Sequence, residues 1–210
     1  MKSFVQHMGV VAPILVDNVD TDQIIPSREM KRVSKSGLGE GLFAGWRYQY
    51  DGMRKVGLRK NFALNNPEHF GASIILGGKN FGCGSSREHA VWALGDYGIR
   101  AIIAESFGRI FRINCARNGL LAIDLPPEEI GILHQQTIVS PQSNRILIDL
   151  AQCQVHAPRG ETFDFVIEES DRSLLLNGLD HIEYTLQFSG EIDSFVAKDQ
   201  DARPWARLGT

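Results

Sequence analysis

Between Gly82 and His89 the chain sets two hydroxyls, Ser85 and Ser86, beside the guanidinium of Arg87, on a turn with glycines at 82 and 84. The apolar run Ala72-Ser73-Ile74-Ile75-Leu76 before the turn reads as a strand, and Ala90, Ala93, Leu94 and Tyr97 after it recur at helical spacing. The local expectation is therefore strand 72–77, a glycine-rich turn, and helix 86–98. Such a turn leaves backbone N–H groups without partners at the positive end of a helix, a setting suited to an anion. With both hydroxyls and Arg87 converging there, the fitting ligand is a small carboxylate. Glycines at 77, 78, 82 and 84 let the backbone come close to something.

The same residues have other uses. Ser85-x-x-Glu88 is a capping box, in which the serine and the glutamate each bond the other's backbone amide. That leaves Ser86 and Arg87 together without a reason, which favours a ligand site. Cys83 or Ser85 with His89 as base would make a hydrolase, but the G-x-S-x-G elbow is missing. A nucleotide loop is excluded because Gly78-Lys79 is followed by Asn80, and a dinucleotide fingerprint because serine and arginine follow Gly82-Cys83-Gly84.

Three stretches must position this turn. Residues 1–70 open with a strand over Phe4 to Val16 and then become loop-rich, with glycines at 37, 39, 41, 45, 52 and 57 among Phe43, Trp46 and Tyr48. A loop of that length with interleaved aromatics is expected to bind something. Residues 71–126 make a βαβαβ core: strand 72–77, helix 86–98, strand 99–104, helix 106–117 stopped by Asn118-Gly119, and strand 120–125. In open sheets of this kind ligands bind beyond the carboxyl ends of the strands, where the Gly82–Arg87 turn lies. Residues 127–198 mix strands at 145–150 and 162–167 with helices at 171–177 and 182–197, and a polar tail follows from 199 to 210. The whole reads as a single α/β domain.

Composition narrows the classes further. The 210 residues are 43% hydrophobic with a net charge of −3, enough for an ample core and no electrostatic footprint for nucleic acid. Val10 to Val16 is the longest apolar run, too short for a bilayer, and the first residues lack a signal-peptide pattern, so the expected address is the cytoplasm. Cys83, Cys115 and Cys153 are odd in number and widely spaced, and the six histidines are dispersed, so no metal spacing is present and this chain is expected to bind none.

Asn80-Phe81-Gly82-Cys83-Gly84-Ser85-Ser86-Arg87-Glu88-His89-Ala90, together with Asp17-Asn18-Val19-Asp20-Thr21-Asp22-Gln23-Ile24-Ile25-Pro26, resembles the small subunits of 3-isopropylmalate dehydratases in the aconitase superfamily. The resemblance covers nearly the whole chain, including Gly37 to Trp46, Tyr97 to Asn118 and Asn177 to Asp180. It implies a swivelling β/β/α domain that closes over substrate, paired with a separate large subunit that holds a 4Fe-4S cluster through its own cysteines. The implied reaction is a reversible hydro-lyase step of leucine biosynthesis, from 2-isopropylmalate through isopropylmaleate to 3-isopropylmalate.

Matched to the family, Ser85 is the base on the substrate carbon, Arg87 stabilises charge with the turn amides and binds a carboxylate, and Ser86 and Gly84 assist in binding. A helix terminus supplies at most about 2 kcal/mol, a unit or so of pKa at about 1.4 kcal/mol each. The larger share of serine activation must therefore come from Arg87 and further cations in a site that has lost its water. The isolated chain is accordingly expected to be inactive.

The loop after the Asp-Thr-Asp motif, Ser27-Arg28-Glu29-Met30-Lys31-Arg32, is where the family contacts the variable substituent, which marks Arg28, Glu29, Met30 and Lys31 as substrate-binding candidates. Glu29 stands where relatives commonly carry an aromatic residue. A carboxylate beside an isopropyl group is costly to desolvate unless Lys31 or Arg32 pairs with it. The expectation is that Glu29 faces solvent, with methyl-substituted malates and homoaconitate-type acids as alternative substrates and a non-catalytic dicarboxylate-binding module as the alternative role. Asp20, Thr21, Asp22 and Gln23 suit a turn that organises the site without touching substrate. His89, four residues after Ser85, would share its helix face and orient the turn.

Overall fold

The computed structural model describes residues 1–30 and 34–206. In chain order the elements are β1 (Gln6–Ile14), α1 (Thr21–Ile24), α2 (Ala44–Arg47), β2 (Tyr48–Asp51), β3 (Arg54–Leu58), β4 (Ala72–Gly77), α3 (His89–Tyr97), β5 (Ala101–Ala104), α4 (Arg109–Arg117) and β6 (Leu121–Asp124). They continue with α5 (Pro127–Ile138), β7 (Ile146–Asp149), β8 (Gln154–His156), β9 (Thr162–Asp164), α6 (Glu169–Asn177), α7 (His181–Leu186) and α8 (Ser189–Ala202).

Seven strands form one sheet in the order β6-β5-β4-β1-β7-β8-β9, parallel from β6 to β1 and antiparallel from β1 to β9. The expected βαβαβ core is its parallel half, with Asn118 capping α4 and Gly119 at positive φ just before β6. Strand pleat splits the apolar side chains between two faces. Val10, Ala12, Ile75 and Ile102 pack toward α3 and α4, where Ala90, Leu94, Phe111 and Cys115 meet them. Val11, Ile74, Leu76 and Ile103 pack the other way, toward Ile130 and Leu133 of α5 and Leu175 of α6. Pro13 is tolerated in the middle strand because β7 pairs only with Gln6 to Gly9, which leaves that edge of β1 open further along.

Three expectations need correction. The glycine- and aromatic-rich stretch is not one long loop: Phe43 is fully buried, Trp46 stacks on it at 5.5 Å, and residues 48–58 form the β2–β3 hairpin. The alternation there is interrupted by Gly52 and Gly57, which hid the hairpin from a periodicity reading. The helix expected over 182–197 is two helices, because Gln187 and Phe188 donate to carbonyls three residues back and leave the α register. The strand expected over 162–167 ends at Asp164, and β8 and α5 carried no expectation. Among the described residues no helix is long and apolar enough to cross a membrane.

Candidate active site

The carboxyl ends of β1, β4 and β5 lie side by side, and their parallel pairing continues past the strands as isolated bridges, Asp20 with Cys83 and Phe81 with Phe107. Gly82 N–H donates to Val19 O at 2.7 Å and Thr21 N–H to Cys83 O at 3.0 Å, while Phe81 N–H donates to Ser106 O and Gly108 N–H to Phe81 O, both at 2.9 Å. Three loops are thus laced by backbone bonds into one floor, at the place the topology requires.

The four glycines of the turn divide. A Cβ on Gly77 would lie 2.8 Å from the Phe81 ring, on Gly78 2.5 Å from Asp17, and on Gly82 2.2 Å from the Phe111 ring. Their close approach is to the protein's own interior. Gly84 differs, with φ +88 and its nearest neighbour at 3.4 Å, so it serves the turn's conformation at the exposed rim.

The chain does not enter a helix at Ser85. α3 begins at His89, and Glu88 makes no capping bond, so the Ser85–Glu88 capping box is not formed. Glu88 instead accepts from Asn118 Nδ2 at 2.8 Å, and the Ser85 carbonyl accepts from the Thr21 hydroxyl at 3.2 Å. These tertiary bonds replace the local cap. The activating helix terminus is therefore several residues beyond Ser85, and the dipole contributes less to its hydroxyl than the sequence suggested. His89 does not share a face with Ser85 for the same reason; its ring packs on Trp92 at 4.7 Å.

Ser85 and Ser86 are exposed, and among the described residues neither hydroxyl has a hydrogen-bond partner. Arg87 is half-buried and tethered through Nη1 alone, which ion-pairs with Asp22 and donates to the Ser27 hydroxyl at 3.1 Å. Ser27 also donates to Asp22 at 3.1 Å. Nε and Nη2 have no partner among the described residues, which leaves an open guanidinium edge able to take a carboxylate in a two-point contact. Asp20 and Gln23 close a reciprocal capping box on α1, with Gln23 N–H donating to Asp20 Oδ1 at 2.7 Å and Asp20 N–H to Gln23 Oε1 at 2.8 Å. Among the described residues, Asp20, Thr21, Asp22 and Gln23 thus bond to the site's own frame.

The loop candidates fare differently. Met30 packs against the α3–α4 core, and Arg28 lies over the Tyr50 ring at 4.5 Å. Glu29 does not face solvent: its side chain is 18% exposed, accepts from Lys55 Nζ at 2.9 Å and Tyr50 OH at 3.3 Å, and has Arg28 Nε at 3.7 Å, while the expected pairing with Lys31 or Arg32 lies outside the described residues. The hairpin that supplies both partners was not read from the sequence. Lys31 lies outside the described residues.

A cleft of about 180 Å³ beside the turn is lined by Cys83, Ser85, Arg109 and Phe111 among others. Pockets that enclose a small molecule typically run to about 300–1,000 Å³, so this face needs a second surface to bury a dicarboxylate. Sequence reasoning placed Ser27 in the loop after the Asp-Thr-Asp motif without giving it a role, and missed Lys55, Tyr50, Arg109 and Phe111, which carry no local signal.

Burial and then Asp20 push the Cys83 thiol up, which works against a thiolate nucleophile. Cys115 is sealed in the α3–α4 core and Cys153 packs on the opposite face of the sheet. With these positions, and no group of three or more His, Cys, Asp or Glu able to hold a metal among the described residues, this chain's residues do not fit an iron–sulfur cluster.

Comparison with known proteins gives the same picture throughout. Residues 1–128 match the aconitase C-terminal domain family. A 3-isopropylmalate dehydratase small subunit of Cupriavidus necator is 51% identical over 205 residues, covering 98% of each chain. One from Neisseria meningitidis serogroup A is 47% identical over 210 residues, again covering 98% of each. The crystal structure of a 3-isopropylmalate dehydratase chain from Methanocaldococcus jannaschii superposes with a TM-score of 0.64 at 29% identity, covering 90% of this chain and 98% of that one.

Proposed function

This chain belongs to the aconitase C-terminal domain family and, within it, to the 3-isopropylmalate dehydratase small subunits, and on that premise we propose that the Gly84–Arg87 turn is its share of the catalytic centre. The activity is a hydro-lyase step: water leaves 2-isopropylmalate to give isopropylmaleate and returns in the other sense to give 3-isopropylmalate. The observation that carries the reading is the pair of hydroxyls, without a partner among the described residues, beside the open edge of a tethered arginine.

Removing a proton from the carbon next to a carboxylate builds negative charge on that carboxylate. The Nε–Nη2 edge of Arg87 is oriented to receive it, because Asp22 and Ser27 occupy Nη1 and fix the plane of the guanidinium. Ser85 Oγ, as the alkoxide, would take the proton and become the neutral hydroxyl, and Ser86 Oγ and the Gly84 backbone would hold the second carboxylate. A serine hydroxyl in open water is a poor base, and here it has neither an adjacent helix terminus nor an enclosed cleft. Closure against the large subunit would supply the missing wall and expel water, which strengthens the Arg87 contact several-fold. In this family the 4Fe-4S cluster belongs to that large subunit.

We read the whole chain as one swivelling domain acting in the cytoplasm, where its free cysteines stay reduced. The test is reconstitution with the large subunit under anaerobic conditions and assay of 2-isopropylmalate beside methyl-substituted malates and homoaconitate-type acids. Turnover of 2-isopropylmalate by the complex and none by this chain alone is expected. Activity of the isolated chain would overturn the shared-centre reading.

A further inference from the structure

Arg87 is held not only by its neighbours in the motif but, through them, by a hairpin far away in sequence. Ser27 begins the single 3₁₀ turn Ser27–Glu29, in which Glu29 N–H donates to Pro26 O at 2.8 Å and Met30 N–H to Ser27 O at 3.2 Å. One end of that turn bonds Arg87 and Asp22 through the Ser27 hydroxyl. Its other end carries Glu29, whose carboxylate meets Lys55 Nζ at 2.9 Å and Tyr50 OH at 3.3 Å on the β2–β3 hairpin. Space enforces the arrangement, because a Cβ on Gly41 would stand 2.7 Å from Glu29 Cβ. Arg28, stacked over the Tyr50 ring at 4.5 Å, adds a second contact between turn and hairpin.

We infer that Glu29, Lys55 and Tyr50 form a latch that sets the direction of the Arg87 guanidinium, with Lys55 and Tyr50 acting as positioning residues for substrate binding. The inference rests on the reading of Ser85 to Arg87 as the substrate site. Physically, a three-residue turn closed by two backbone hydrogen bonds holds its own shape but not its place on the protein, so its placement depends on what grips its ends. Glu29 is a partly buried carboxylate whose desolvation is offset chiefly by Lys55 at 2.9 Å and Tyr50 at 3.3 Å, with Arg28 Nε more distant at 3.7 Å. Losing the cation would release Glu29 toward water and carry Ser27 away from Arg87.

Two measurements on Lys55→Ala, Lys55→Arg, Glu29→Gln and the exchanged pair Glu29→Lys with Lys55→Glu test this. In the complex with the large subunit, Lys55→Ala should raise KM for 2-isopropylmalate roughly three- to tenfold with kcat within about twofold, as expected for a coupled contact outside the reacting atoms. Lys55→Arg should restore KM, and the exchanged pair should recover most of what either single reversal loses. In this chain alone, hydrogen exchange at the amides of Glu29 and Met30 should quicken in Lys55→Ala and return to normal in Lys55→Arg. An unchanged exchange rate in Lys55→Ala, or an exchanged pair no better than its single reversals, would overturn the latch. A wild-type complex with no turnover would instead refute the hydro-lyase reading, while the exchange measurement would still decide the latch.

Discussion

Ser85→Ala separates catalysis from folding with unusual clarity, because the hydroxyl it removes is exposed and bonded to no described residue. Truncation opens no cavity and orphans no partner; the Thr21 hydroxyl bonds the Ser85 carbonyl, which the substitution keeps. Stability should therefore move by no more than about 0.5 kcal/mol, the usual range for a surface change without such features. A positioned general base contributes about 10²- to 10⁴-fold, which at about 1.4 kcal/mol per decade is roughly 3–5 kcal/mol of transition-state stabilisation. The two effects differ several-fold in free energy, so one variant reads both. The assay is loss of 2-isopropylmalate by the reconstituted complex at saturating substrate, beside urea denaturation of this chain and titration of complex assembly. A fall in kcat of at least about a hundredfold with assembly and urea midpoint unchanged is expected. Retention of a tenth or more of wild-type kcat would show that another group takes the proton and that the hydroxyl only binds.

Asp22→Ala removes the ion pair that fixes Arg87 Nη1 and should raise KM by about three- to tenfold, with kcat less affected, in the same steady-state assay. Gly82→Ala combines a positive φ with a Cβ placed 2.2 Å from the Phe111 ring, so urea unfolding should report a loss of about 2 kcal/mol or more. The His7 imidazole, bonded to Ser73 at 2.8 Å, is held below its ordinary value by burial, then by Arg100 and Lys2. The unfolded chain takes that proton near pH 6.5 and the folded chain only at lower pH, so this contribution is intact above about 6.5 and is lost as pH falls below it. Denaturation of His7→Asn followed over that range should show a flatter acid limb than the wild type.

What the residues alone determine is the parallel half of the sheet and the address of the site. The runs at 72–77 and 101–104, the helical spacing of Ala90, Leu94 and Tyr97, and the Asn118-Gly119 stop are local signals, and strand–helix–strand alternation forces the Gly82–Arg87 turn to a strand's carboxyl end. The Asp20–Gln23 box went unread, because those residues also suit a plain turn, although a four-residue capping motif is satisfied by its own side chains. Tertiary structure decided the rest, because the groups concerned had a choice of partners that sequence distance conceals. Ser85 and Glu88 suit a local cap, yet Thr21 claims the Ser85 carbonyl and Asn118 claims Glu88, so α3 starts late and His89 turns to Trp92. Glu29 suited either solvent or a cation close by in sequence, and the structure adds Lys55, from a hairpin 26 positions away that sequence distance conceals. A carboxylate follows the strongest desolvated cation within reach, and only the folded chain defines reach.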